Sequence, residues 1–170
     1  QETYYSIGGG FVLTAGELAE AGEKRAKARA DVPFPFETAA EMLQMANASG
    51  LSIAQMKRQN ELRFRSAADL DRGMARIWEV MTNCIDRGIK GEGILPGGLK
   101  VRRRAKGIHD ALMAERGLNL TPPHTINDWM SLYAMAVNEE NAAGGQVVTA
   151  PTNGAAGVVP AVLRYWLDHV

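Results

Sequence analysis

The run of residues from Asn138 to Leu163 holds the side chains best suited to chemistry. It opens with the polar cluster Asn138-Glu139-Glu140-Asn141, passes through a glycine-containing loop, and reaches the small-residue turn Thr152-Asn153-Gly154-Ala155-Ala156-Gly157. Small residues let backbone or a ligand come close, and the free N–H groups at the start of a following helix favour an anion such as a carboxylate. The same pattern also suits a tightly packed helix–loop–helix corner without a ligand.

The adjacent pair Glu139 and Glu140 is the candidate for proton transfer. Apolar spacing predicts a helix from Asp128 to Ala142 whose buried side runs directly into this polar end. The core residues predicted for that helix are Trp129, Leu132, Tyr133, Ala136 and Val137. A carboxylate buried near a helix C-terminus has its charged form disfavoured, which suits an acid or a base. The alternative is an exposed glutamate pair that accepts hydrogen bonds from loop backbone.

Three consecutive glycines interrupt the only convincing strand-like stretch. Strand-forming residues dominate Gln1 to Leu13, and Gly8, Gly9 and Gly10 break the pattern. Such a run is typical of a bulge or of backbone that approaches a ligand, and the alternative is a flexible connector. Neither this run nor the stretch from Gly93 to Lys100 matches a dinucleotide-binding or Walker loop.

The elements that position these residues are predicted to be helices. Periodicity and capping residues predict helices over Thr38–Ala48, Ile53 to about Phe64, Ser66 to about Arg87, Lys100 to about Leu112 and Asp128–Ala142, with one more after Gly157. The fold class is therefore mainly α: a multi-helix lobe with a short N-terminal strand and glycine segment, as a fragment of a larger α+β protein.

Two helix faces carry specific expectations. The third predicted helix buries one apolar face, with Cys84 beside it as a small buried hydrophobe; that face consists of Leu70, Met74, Ile77, Trp78, Met81 and Ile85. The fourth buries Val101, Ala105, Ile108 and Leu112, and His109 beside that face is expected to be structural.

A basic run, Lys100 to Lys106, opens the fourth predicted helix. Positive charge is unfavourable at a helix start, so acidic partners are expected nearby. A solvated face is the simplest interpretation, and a guanidinium that reaches an acidic partner or a substrate carboxylate is the functional one. A nucleic-acid role for this run is a third and poorer alternative.

Composition narrows the class of protein. The chain has 170 residues, 46% hydrophobic and 22% charged, with 19 basic and 19 acidic side chains. This balance suits one globular domain or lobe and argues against a general nucleic-acid or membrane-surface role. The single cysteine, Cys84, excludes an internal disulfide framework and a cysteine-rich metal site, and we expect a cytoplasmic protein. The chain starts without methionine and stops within a helical pattern, so we expect a piece of a longer protein.

Four sequence blocks together carry a family resemblance. They are Tyr4-Tyr5-Ser6-Ile7-Gly8-Gly9-Gly10-Phe11, Leu95-Pro96-Gly97-Gly98-Leu99, Asn138-Glu139-Glu140-Asn141-Ala142-Ala143-Gly144-Gly145 and Val148-Thr149-Ala150-Pro151-Thr152-Asn153-Gly154-Ala155-Ala156-Gly157. In this order they resemble the N-terminal part of the catalytic α domain of bacterial iron–sulfur-dependent L-serine dehydratases. The resemblance covers essentially the whole chain.

The resemblance implies a reaction and a domain plan. The family converts L-serine to pyruvate and ammonia without pyridoxal phosphate, and a [4Fe–4S] cluster acts as Lewis acid on the substrate hydroxyl. Residues 1–13 would come from the junction with an absent upstream β domain, and residues 14–170 would form a helical catalytic lobe that is incomplete at its C-terminus. The family's cluster cysteines lie downstream, and Cys84 matches none of them. We therefore expect no metal site in this chain, no activity of this chain alone, and a homo-oligomeric full-length protein.

The resemblance also implies a substrate pocket. The residues expected to hold the carboxylate and amino group of L-serine are Gly8, Gly9, Gly10, Asn141, Thr149, Pro151, Thr152, Asn153 and Gly154. The catalytic base is not identified by these motifs; Glu139 and Glu140 are weak candidates. The alternative function is a non-catalytic helical scaffold or interaction domain that uses its glycine turns only for close packing.

Overall fold

The computed structural model describes residues 2–8, 11–21, 31–116, 124–149 and 154–170. Two short strands, β1 (Tyr4–Gly8) and β2 (Phe11–Thr14), pair in a two-stranded sheet. The residues at 15–21 are helical. The longer helices are α1 (Ala39–Ser49), α2 (Ile53–Leu62), α3 (Ala67–Lys90), α4 (Ala105–Glu115), α5 (Thr125–Ala142) and α6 (Val158–His169).

The mainly α fold class is confirmed, and the N-terminal strand prediction is refined. The sequence suggested one strand interrupted by glycines, whereas the structure has two paired strands, and Gly8 is the last residue of the first. Only two residues separate β1 from β2, which fits an antiparallel hairpin. In the described part of the chain, none of the helices has both the length and the apolar character needed to cross a bilayer.

The described residues form two compact units, one ending at Ala75 and the other comprising Gly8 and the residues from Arg76 to Val170. In the first unit, α1 and α2 pack together, and each begins with a reciprocal cap between its N-cap residue and the residue three positions later. Thr38 and Glu41 cap α1, and Ser52 and Gln55 cap α2. Gly50 ends α1 in the left-handed conformation with φ 69°, which glycine adopts without strain.

In the second unit, α5 is the central helix and packs against both α4 and α6. All five predicted core residues of α5 are buried, as are Cys84 and Ile85 of α3. Two glycines allow this close packing. A Cβ on Gly88 would lie 2.3 Å from the carbonyl oxygen of Ala136, and a Cβ on Gly157 would lie 2.7 Å from that of Ala134.

The predicted apolar face of α3 is only partly correct. Leu70, Met81 and Ile85 are buried, whereas Met74 and Ile77 are about half exposed at 59% and 49%. Periodicity shows that a helix face is apolar, but it does not show where the packing partners begin. The prediction that Cys84 is a small buried hydrophobe is confirmed, since its side chain is 1% exposed.

The predicted start of α4 is wrong by about five residues. Residues before Ala105 form a loop in which Ile94 bridges Arg102, and the Leu95 amide donates to the Val101 carbonyl at 2.7 Å. This pairing uses backbone groups that a longer helix would need, and Lys100 has a positive φ of 51°. As a consequence Val101 is exposed and lies outside the helix, whereas Ala105 and Leu112 are buried as predicted.

Candidate functional site

Glu139 places its carboxylate at the start of a different helix. Its Oε1 accepts a hydrogen bond from the backbone amide of Arg104 at 2.7 Å, and its Oε2 accepts one from Ala105 at 3.3 Å. The first amides of α4 have no intrahelical partner, and no side chain of its own N-cap residue bonds to them. A buried carboxylate from α5 therefore caps α4, and its negative charge is favourable against the positive end of that helix.

Glu140 is held between two arginines. Its Oε1 accepts from Nη2 of Arg103 at 2.9 Å, and its Oε2 accepts from Nε of Arg87 at 3.0 Å. The Glu140 and Arg103 side chains are each 10% exposed, whereas that of Arg87 is 45% exposed. The Glu140–Arg103 pair is therefore a buried ion pair, and Arg87 closes it from the solvent side. The expectation that acidic partners meet the basic run is confirmed at Arg103.

Arg87 and Glu140 also fix the glycine loop that follows α5, which includes Gly144, Gly145 and Gln146. Nη2 of Arg87 donates to the carbonyl oxygen of Gln146 at 3.0 Å, and the Gly145 amide donates to that of Glu140 at 2.8 Å. A Cβ on Gly145 would lie 2.7 Å from Oε2 of Glu140. The loop therefore lies directly on the carboxylate, and a larger residue at 145 would separate them.

A second glycine makes room for the buried arginine. A Cβ on Gly91 would lie 1.6 Å from Nη1 of Arg103, so the guanidinium occupies the space that a side chain at 91 would fill. The sequence alone did not predict Arg87, Gly91 or Arg103 as site residues. One sequence feature pointed to them, the unfavourable positive charge just before α4. It indicated that an acidic partner lies nearby, but it did not show which arginine would contact that partner.

Both glutamates are buried, with Glu139 5% and Glu140 7% exposed. The alternative of an exposed pair is therefore wrong, although its other part, hydrogen bonding to backbone amides, describes Glu139 well. The Glu139 carboxylate faces the backbone amides at the start of α4, and the Glu140 carboxylate faces two guanidinium groups. The pair therefore holds three segments at the end of α5: α3, the residues just before α4, and the glycine loop that follows α5. We call Glu139 and Glu140, with these contacts, the anchor.

A cleft of about 430 Å³ opens beside the anchored end of α5. Its walls include apolar residues from the loop before α4 and polar residues from α5; the lining contains Leu95, Val101, Arg104, Ser131, Asn138 and Glu139. Glu139 lines the cleft whereas Glu140 does not. The cleft therefore brings together two of the four sequence blocks, those beginning at Leu95 and at Asn138.

The structure describes only four of the nine residues predicted to bind the substrate. Asn141 is half-buried in the last turn of α5, Thr149 is half-buried beyond the loop, and Gly154 is exposed in the turn before α6. Gly8 ends β1. Gly9, Gly10, Pro151, Thr152 and Asn153 lie outside the described residues. Helix α6 begins where the small-residue turn predicted it, with Gly157 at its N-cap position and no side-chain cap.

A separate polar cluster joins α5 to the end of α6. The Tyr133 hydroxyl donates to Oδ2 of Asp168 at 2.9 Å, and Nε of Arg164 donates to the same oxygen at 2.7 Å. Burial, followed by the hydrogen bond to Asp168, raises the pKa of Tyr133 well above its usual value. Arg164 also reaches Asp86 of α3 at 2.9 Å. This cluster borders a second cavity of about 540 Å³ and links three helices.

Cys84 lies close to the glutamate pair, and its buried surroundings disfavour the thiolate form. Burial raises the pKa of its thiol, the nearby Glu140 charge raises it further, and Arg87 only partly offsets this. A thiol of this kind is a poor source of the thiolate that binds iron. Among the described residues, no group of three or more His, Cys, Asp or Glu side chains is placed to hold a metal ion.

Comparison with known proteins gives the family. Residues 48–170 match the serine dehydratase alpha chain model. The chain is 48% identical over 169 residues to an L-serine dehydratase of Streptomyces coelicolor, and 47% identical over 168 residues to L-serine dehydratase 1 of Escherichia coli. Each alignment covers 99% of this chain and 36% of the relative. An L-serine dehydratase of Helicobacter pylori is 41% identical over 171 residues.

The residues matched by the family model include the whole of α3 to α6, and with them the glutamate pair and the groups that hold it. The chain belongs to the serine dehydratase alpha chain family. It spans about a third of the length of the curated relatives it matches.

Proposed function

We propose that the full-length protein containing this chain is an L-serine ammonia-lyase that converts L-serine to pyruvate and ammonia. The observation that carries this proposal is the family match over residues 48–170. In the domain plan that we propose, residues 1–13 belong to the junction with an upstream domain, and residues 14–170 form part of the catalytic lobe. The full-length protein is cytoplasmic and homo-oligomeric in this proposal.

A [4Fe–4S] cluster supplies the Lewis acid of the proposed reaction, in place of pyridoxal phosphate. The residues of this chain do not fit such a cluster, because three thiolates are its usual minimum and the only cysteine here is the buried Cys84. The cluster ligands therefore belong to the part of the full-length protein outside this chain, and this chain alone is inactive.

This chain contributes the loops that hold the substrate. Gly8, Gly9, Gly10, Asn141, Thr149, Pro151, Thr152, Asn153 and Gly154 bind the carboxylate and amino group of L-serine through backbone N–H groups and small polar side chains. Arg104 provides a cationic group on the 430 Å³ cleft and is a further candidate for the substrate carboxylate. Between the two glutamates, Glu139 is the better proton-carrier candidate because it lines this cleft, whereas Glu140 positions the loop.

The proposed reaction is tested with anaerobically purified full-length protein. Pyruvate formation from L-serine is measured with and without cluster reconstitution. We expect turnover that depends on the cluster. A reconstituted protein that forms no pyruvate and is not stabilised by L-serine against thermal unfolding would support the non-catalytic scaffold instead.

The proposed pocket is tested with two pairs of variants in the same protein. Asn153→Ala and Arg104→Gln are expected to raise KM for L-serine. Their controls are Asn47→Ala, at an exposed position on α1, and Arg102→Gln, at an exposed position that does not line the cleft. If either test variant leaves both kcat and KM at the wild-type values, that residue leaves the proposed pocket.

A further inference from the structure

Helix α6 has an unusual distribution of side chains. Its polar and small residues face the rest of the second unit: Pro160 and Ala161 are buried, and Arg164 pairs with Asp86 of α3 and with Asp168 of α6 itself. Large apolar residues occupy the opposite side and are exposed; this outer face consists of Val158, Val159, Val162, Leu163, Trp166 and Leu167. A surface helix normally shows the reverse pattern, with apolar residues inward and charges outward.

The outer face is continuous and carries no charge. Val158, Val162 and Trp166 form one row at four-residue spacing, and Val159, Leu163 and Leu167 form a second row beside it. Trp166 is 60% exposed and Val162 is 52% exposed, so these side chains lie on the surface of the described structure. Single exposed apolar residues are ordinary, but two complete rows form a patch of the kind that marks an interface.

We infer that the outer face of α6 is an internal docking surface, covered in the full-length protein by an apolar helix face from the same polypeptide, outside residues 1–170. The size of the relatives argues for this occupant. Alignment of nearly the whole chain covers only 36% of the Streptomyces coelicolor and Escherichia coli proteins, so most of a full-length relative lies beyond the matched part. The inference rests on family membership and does not depend on the proposed reaction.

The shape of the face also suits a helix as its occupant. Rows of side chains at four-residue spacing form ridges with a groove between them, and such ridges interlock with those of a second helix. The inward-facing charges of α6 already have partners, because Arg164 is paired with both Asp86 and Asp168. The occupant therefore meets apolar surface, and its contacting residues are apolar as well.

The experiment uses full-length protein in which Trp166 is replaced by the photo-reactive p-benzoylphenylalanine. After illumination, cross-linked peptides are identified by mass spectrometry and the mass of the product is read on a denaturing gel. We expect an intrachain cross-link to a peptide outside residues 1–170. The control is the same replacement at Gln44, an exposed polar position on α1, which is expected to give little product.

Three results would overturn the inference. A product of twice the chain mass would assign the face to a second copy of the protein. A cross-link within residues 1–170 would assign it to another part of this chain. No cross-link at 166 above the Gln44 control would leave the face in solvent.

A second measurement tests the same face without a photo-reactive group. Trp166→Glu places a charge on the outer face and is expected to lower the melting temperature of the full-length protein by several degrees, because it would bury an unpaired carboxylate. Leu43→Glu is the matched control, since Leu43 is an exposed apolar residue on α1, at 53% exposure. Equal melting temperatures for the two variants would contradict the inference.

Discussion

The Glu139 carboxylate accepts the backbone amide of Arg104 at 2.7 Å, so a side chain from the end of α5 caps the beginning of α4. The next residue, Glu140, points to different partners, because consecutive helix residues are about 100° apart around the axis. It pairs with Arg87 from α3 and with Arg103 from the loop before α4. Two neighbouring carboxylates thus connect α3 and the start of α4 to the end of α5, and Arg87 extends the connection to the Gln146 carbonyl in the glycine loop.

Replacing Glu139 tests its role as a cap. In the full-length protein, Glu139→Gln keeps an acceptor but loses the charge that is favourable at the start of α4, and we expect it to lower the free energy of unfolding by about 1 kcal/mol. Glu139→Ala removes the acceptors and leaves buried amides unpaired, so we expect a loss of about 2 kcal/mol. Thermal unfolding checks both values. If both variants were as stable as wild type, the cap would contribute nothing to stability.

The buried pair of Arg103 and Glu140 is expected to be strongly coupled. Arg103→Met leaves a buried carboxylate with only the half-exposed Arg87, and should cost about 3 kcal/mol. Glu140→Gln should destabilise the Arg103→Met variant much less than it destabilises the wild type. The reason is that the Glu140 charge has already lost its buried partner in the Arg103→Met variant. The four melting curves of this double-mutant cycle measure the coupling.

An exposed pair provides the control for that cycle. Arg76 and Glu79 lie 3.0 Å apart on α3, and both side chains are more than half exposed. Arg76→Met should therefore change the stability by no more than about 0.5 kcal/mol. Additive effects at Arg103 and Glu140 would contradict the interpretation of a buried ion pair.

Two glycines on α3 are expected to respond in opposite directions. A Cβ at Gly88 meets backbone atoms of Ala136 at 2.3–2.8 Å, so Gly88→Ala must push α3 and α5 apart and should cost more than about 2 kcal/mol. At Gly73 nothing lies within 4 Å of the added Cβ, so Gly73→Ala should stabilise the helix by about 0.5–1 kcal/mol. Differential scanning calorimetry of the full-length protein separates the two. Similar destabilisation by both would mean that the close approach at Gly88 is not what matters.

The central helix was the most predictable part of the fold. Every core residue predicted from Trp129 to Val137 is buried, because a full set of apolar residues at helical spacing has to face a core. Local chemistry also predicted the cap at Ser52, since a cap depends on residues within one turn. The family was likewise evident from four motifs.

The anchor could be predicted only in part. The sequence showed two glutamates at a helix end and an excess of positive charge before α4, but Arg87 is 53 positions away from Glu140. No local pattern decides which of several arginines reaches a given carboxylate. The start of α4 was misplaced for a similar reason, since the pairing of Ile94 with Arg102 uses backbone that the apolar pattern assigned to a helix.

The cluster between α5 and α6 makes a prediction about pH. Burial alone would raise the pKa of Asp168, but hydrogen bonds from Arg164 and Tyr133 outweigh it and hold the pKa below the ordinary value of 3.8. A carboxyl whose pKa is lower in the folded state contributes stability above the unfolded pKa, and this contribution is lost as the pH falls through the folded pKa. We therefore expect Asp168→Asn to be less stable than wild type at neutral pH.

The two melting temperatures should then converge as the pH falls below 3.8 and through the lower pKa of the folded protein, where Asp168 of the wild type becomes protonated and also lacks the charge. Tyr133→Phe removes the hydrogen bond of 2.9 Å that Tyr133 donates to the Asp168 carboxylate. When Tyr133→Phe is introduced into both wild type and Asp168→Asn, the difference between their melting temperatures at neutral pH should become smaller. Melting temperatures of the full-length variants between pH 3 and 7 provide the measurement. A difference between wild type and Asp168→Asn that stays constant over this range would show that the charge of Asp168 does not stabilise the junction of α5 and α6.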